Sequence, residues 1–123
     1  MQNKKFLKFS IAIFITLSLI IACSSIQRRS YQTLSISYST YDFAMSTAGD
    51  LYKQGYISES QRAEITSKAH LYTKAHNEAV ELLLKSTESG LFSDQSNYLS
   101  KLSIASIYLA DLLNTIDKFK EGI

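Results

Sequence analysis

The side chains in this sequence that could do chemistry are one cysteine, two histidines, a scatter of acids and eight tyrosines. Cys23 stands where the apolar run Phe9 to Ala22 stops and polar residues begin. With no second thiol in the chain it cannot close an internal disulfide. His70 and His76 are six residues apart, whereas two ligands on one helical face need a spacing of about three or four. The pair therefore does not make a zinc site. His76 sits beside Tyr72 at helical spacing, which predicts a partly buried imidazole bonded to a tyrosine hydroxyl or to water. Glu78 and Glu81 read as a solvated helix face, not as a general acid and base. The many serines lack a nucleophile-elbow context, and there is no glycine-rich phosphate loop. The sequence thus offers no catalytic residue, cofactor site or metal site, and a non-enzymatic protein is expected.

These residues lie on elements whose periodicity is helical. Tyr31, Leu34, Tyr38, Tyr41, Met45, Ala48 and Tyr52 recur every three or four positions, one stripe of a helix. Ile65, Ala69, Tyr72, His76, Ala79 and Leu83 form a second stripe, and Tyr98, Leu102, Ala105, Leu109, Leu112, Ile116 and Phe119 a third. The stretch LSISYSTY, Leu34 to Tyr41, alternates as a strand would, but no second strand-like segment exists to pair with it, so helix is the reading. Two connections, QGYISES from Gln54 and SGLFSDQ from Ser89, share a design. Gly55 and Gly90 suit the left-handed end of one helix. Ser58 and Ser93 suit the N-cap of the next, with Glu59 and Asp94 near its positive end and Gln61 placed to complete a capping box with Ser58. The fold expected is all-α, an up-down-up antiparallel three-helix bundle. Within the first helix Gly49 costs up to about 1 kcal/mol against alanine and is expected to mark a bend or a close approach.

The start of the chain has a different organisation. Lys4, Lys5 and Lys8 precede the apolar run, and small residues close it, the outline of a secretory signal. Counted on through Ile26, the run also approaches the length of an uncleaved membrane anchor. The sequence Ile20-Ile21-Ala22-Cys23 resembles the lipobox of bacterial lipoprotein precursors. That resemblance implies that the Cys23 thiol is lipidated, the bond before it cut and the new amino terminus acylated. It divides the chain into a signal peptide at 1–22, a lipidated tether at 23–30 and the three-helix bundle at 31–123. Acyl chains contribute roughly 0.8 kcal/mol per buried methylene, so several on one residue anchor the protein stably to a membrane. By analogy with that class, Ser24 after the cysteine implies the outer membrane, facing the periplasm, in a cell with two membranes. The class is defined by processing and location, and the remaining chain, which resembles small helical lipoproteins of no assigned function, carries no motif that names an activity.

Three of the thirteen Lys and Arg precede Cys23 and all eleven Asp and Glu follow it. The processed chain is therefore close to neutral, and with no basic face beyond Arg28-Arg29 it excludes nucleic acid as a partner. Those arginines either rest on anionic headgroups, at about 1 kcal/mol each, or belong to a solvated linker. The six stripe tyrosines either pack the core or line a pocket for an amphipathic or lipid ligand. Ile36 and Phe43 on the first helix, and Ile104, Ile107 and Tyr108 on the third, miss the stripes. They form a candidate contact face for an envelope protein, a second copy of the chain or the membrane surface itself, unless a wider buried stripe absorbs them. The function expected is a membrane-anchored interaction or structural module, with a periplasmic carrier of a small amphipathic ligand as the alternative.

Overall fold

The structure, a computed structural model, describes the backbone of residues 2–123 and the side chains of residues 28–123 except Phe92. It consists of three helices, α1 (Gln2–Lys53), α2 (Glu59–Ser89) and α3 (Phe92–Glu121). Its contacts divide the chain into two compact units, Met1–Gln32 and Thr33–Ile123. The backbone of residues 23–30, expected to be a tether, is helical.

The second unit is the three-helix bundle. Leu34 near the start of its α1 segment packs with Ala79 and Leu83 of α2 and Tyr98 of α3. Ala44 and Ala48, further along α1, pack with Ile65 and Ala69 near the start of α2 and with Leu112 and Ile116 near the end of α3. Contacts that run forward along α1 and α3 and backward along α2 are those of an up-down-up antiparallel arrangement. The strand-like stretch is helical because Leu34 and Tyr41 share the inward face, while between them Ser37 bonds the Tyr72 hydroxyl and Thr40 a carbonyl of its own helix. Thr40 Oγ1 donates to the Ile36 carbonyl at 2.9 Å, and Thr47 Oγ1 to that of Phe43 at 3.0 Å.

Both turns stop and restart helices by local chemistry. At the first, Gly55 has φ of 80°; its N–H donates to the Tyr52 carbonyl at 3.0 Å and that of Tyr56 to Leu51 at 2.9 Å, the paired bonds of a Schellman motif. Ser58 Oγ then accepts from the Gln61 N–H at 3.1 Å, and the Ser58 N–H donates to Gln61 Oε1 at 2.9 Å. Replacing Ser58 by alanine is expected to cost about 1 kcal/mol, read as a shift of the urea midpoint without a change of slope.

The second turn departs from the expected pattern. Gly90, φ 64°, closes α2 with an N–H bond to the Ser86 carbonyl, but α3 begins earlier than Ser93, with Leu91 as an N-cap that has no side-chain bond. The capping work moves to the preceding side chain. Ser89 Oγ donates to Asp94 Oδ2 at 2.6 Å and accepts from the Leu91 N–H at 3.2 Å. Asp94 is thereby buried in the first turn of α3, where the helix dipole favours its charge.

Gly49 does not mark a close approach. It lies inside an unbroken α1, and a Cβ built on it would meet nothing within 4 Å.

Candidate functional site

At the middle of the bundle α1 and α2 meet through an aromatic cluster. Tyr41 and Tyr72 have ring centroids 4.9 Å apart, and Tyr38 lies 5.7 Å from Tyr41 and 5.5 Å from His76. The Tyr72 hydroxyl shares a hydrogen bond of 2.6 Å with Ser37 Oγ and another of 3.3 Å with His76 Nδ1. The tyrosine-bonded histidine expected at position 76 is therefore present, and it is buried. Tyr72 and Tyr98 fill the interior, whereas Tyr31 and Tyr38 are exposed and Tyr41 and Tyr52 half-buried. Within the cluster Tyr72 and His76 are packed core, and the Tyr72 hydroxyl is bonded on two sides. Among the described residues no three His, Cys, Asp or Glu side chains gather where a metal could bind.

Burial pushes the His76 pKa below its ordinary 6.5. The unfolded chain then binds a proton more readily than the folded one, so stability is complete above about pH 6.5 and falls as the pH drops toward the folded value. Thermal unfolding followed from about pH 7.5 to 5.5 is expected to show this fall, and His76→Gln is expected to flatten it.

The outward apolar residues divide. Phe43 is 76 % exposed, Ile36 67 % and Ile107 63 %; seven residues separate the first two, which places them on one face of α1. Ile104 is more than one-third exposed. Tyr108 belongs instead to the inner edge, packed against the cluster of Tyr72, Ala75 and Ala105, so at this position the buried stripe is wider than the heptad reading allowed. On α2, Leu71 and Leu84 are exposed as well, a feature the stripe analysis did not single out.

Ion pairs set how α2 and α3 face each other. Lys68 Nζ lies 3.2 Å from Asp111 Oδ1 and 2.7 Å from Thr115 Oγ1. Ten residues further along α2 and ten back along α3, Glu78 pairs with Lys101. Glu78, read as part of a solvated face, is partly exposed, and its bond to Lys101 holds its carboxyl below the usual carboxylate range. The same antiparallel offset sets Leu71 opposite Tyr108 and Ala75 opposite Ile104. By this register the exposed Leu71 and Ile104 and the half-buried Tyr108 fall between the two charged pairs along the helices. Such pairs are worth only about 0.2–1 kcal/mol each.

A separate cleft of about 410 Å³ opens beside the first turn. Its floor is the buried or half-buried Met45, Ala48, Ile57 and Ile65, with Gly49 in the wall, and its rim is Tyr52, Lys53, Arg62 and Thr66. The Arg62 guanidinium sits 4.6 Å above the Tyr52 ring, and the Tyr52 hydroxyl donates to Glu59 Oε2 at 2.6 Å. Of the stripe tyrosines only Tyr52 lines this cleft. Sequence periodicity missed it because it is made at a turn, where two stripes part.

The Cys23 side chain lies outside the described residues. Arg28 and Arg29 are exposed. Among the described residues no helix is long and apolar enough to cross a membrane. No family model, curated protein or solved structure matches the chain.

Proposed function

We propose that this protein is a non-catalytic interaction module of a bacterial envelope, held to the membrane by acyl chains on Cys23 and binding another envelope protein or its own copy through the outer apolar rows of its bundle. The observation that supports the protein-contact reading best is the exposure of Phe43, Ile36 and Ile107, at 76 %, 67 % and 63 %, on a bundle whose core is already closed without them. Apolar side chains grouped on helix faces beyond the core's needs mark contact sites more often than chance exposure does. The lipobox-like Ile20-Ile21-Ala22-Cys23 supports the anchor, and the near-neutral charge after Cys23 argues for a protein partner over nucleic acid.

Photo-crosslinking from position 43 or 107 in the native envelope tests the reading. It is expected to give a discrete adduct, and Phe43→Asp or Ile107→Asp is expected to weaken association about tenfold or more, a loss of about 1.4 kcal/mol, with helicity by circular dichroism unchanged. Absence of any adduct from either face contradicts it.

A further inference from the structure

We propose that the cleft beside the first turn binds a small amphipathic anion, a carboxylate or sulfonate on an aromatic or short acyl body. Its volume of about 410 Å³ falls within the roughly 300–1,000 Å³ of small-ligand sites. An apolar floor under a polar rim fits a ligand with one greasy part and one charged end. The charge of that end follows from the rim: Lys53 and Arg62 line the cleft and no carboxylate does. Lys53 makes no ion pair among the described residues, and the pair of Arg62 with Glu59, 3.2 Å long, has its two side chains 54 % and 72 % exposed. A pair that exposed holds its partners weakly, so the guanidinium can turn to an incoming anion while keeping its stack on Tyr52.

Gly49 gives a second, independent reason. Its φ is not positive, so the backbone does not require glycine. An added Cβ would meet nothing within 4 Å, so packing does not require it either. Glycine weakens a helix interior, and its one structural effect here is to leave the wall of the cleft without a side chain. The space it leaves is where the body of the ligand enters.

The test uses the full chain in lipid nanodiscs, titrated with 2-naphthoate by fluorescence, with empty discs subtracted. Saturable binding is expected. The neutral analogue 2-naphthamide is expected to bind about tenfold more weakly, as is 2-naphthoate to Lys53→Gln/Arg62→Gln, a loss of about 1.4 kcal/mol. Gly49→Leu is expected to abolish binding at an unchanged or raised melting temperature; if that variant does not fold, the double rim variant, whose two positions are exposed, decides the matter. Phe43→Asp is expected to leave binding unchanged, which separates this site from the proposed protein-contact faces. Binding that does not saturate, equal binding of acid and amide, or a folded Gly49→Leu that binds as well as the parent overturns the proposal.

Discussion

Replacing Tyr72 by alanine is expected to destabilise the bundle by about 3–5 kcal/mol, the cost of removing a large buried aromatic whose site cannot collapse. Tyr72 has no exposed surface. Its ring packs on Tyr41 of α1 and on Ala75 and Ala105 of α2 and α3, so its loss opens a void where all three helices meet. It also strands Ser37, whose bond to the Tyr72 hydroxyl ties α1 to α2, and His76, whose bond to it lies within α2. A domain of this size has a total stability of about 5–15 kcal/mol, so the variant should lose roughly 15–25 °C in melting temperature or fail to fold cooperatively. Tyr72→Phe keeps the ring and removes only the hydroxyl; about 1 kcal/mol is expected. Chemical denaturation of the two variants side by side checks both figures. Equal losses would mean that the hydrogen bonds, not the packing, carry this layer.

Along α3, alanine substitutions are expected to separate the buried stripe from the outer face. Leu112, with no exposed surface, lies in the core layer with Ala44, Ala48 and Ile65, and Leu112→Ala should cost about 2–5 kcal/mol. Ile107, 63 % exposed, should change stability by no more than about 0.5 kcal/mol when made alanine. Equilibrium urea unfolding with a common slope measures the difference. A cost at Ile107 comparable with that at Leu112 would place position 107 inside the fold and remove half of the proposed contact surface.

How far the chain could be read in advance depended on how local the controlling physics was. The α2 stripe is legible because Ile65, Ala69, Tyr72, His76, Ala79 and Leu83 are all buried, as a helix with partners on two sides requires. The Ser58–Gln61 capping box is equally local, four residues that satisfy one another's backbone groups. The start of α3 was misread because Ser89, on the far side of Gly90, supplies the hydroxyl that Ser93 was expected to supply. Nothing in the turn's composition distinguishes two serines that flank a glycine. On α1 the stripe drifts: Tyr31 and Tyr38 are exposed, while Ala44, which the heptad count leaves out, is buried with Ala48, Ile65 and Leu112. The cleft was not legible at all. It depends on a missing side chain at Gly49 and on the distance between two helices as they enter a turn, and neither is a property of a single periodic segment.

The anchor at Cys23 is tested most directly by mass spectrometry of the amino-terminal peptide, from protein purified out of its own envelope after fatty-acid labelling. The peptide is expected to begin at Cys23 and to carry the labelled acyl chains. Recovery of residues 1–22 still joined to a bare Cys23 thiol would contradict the anchor and remove the basis for an envelope role.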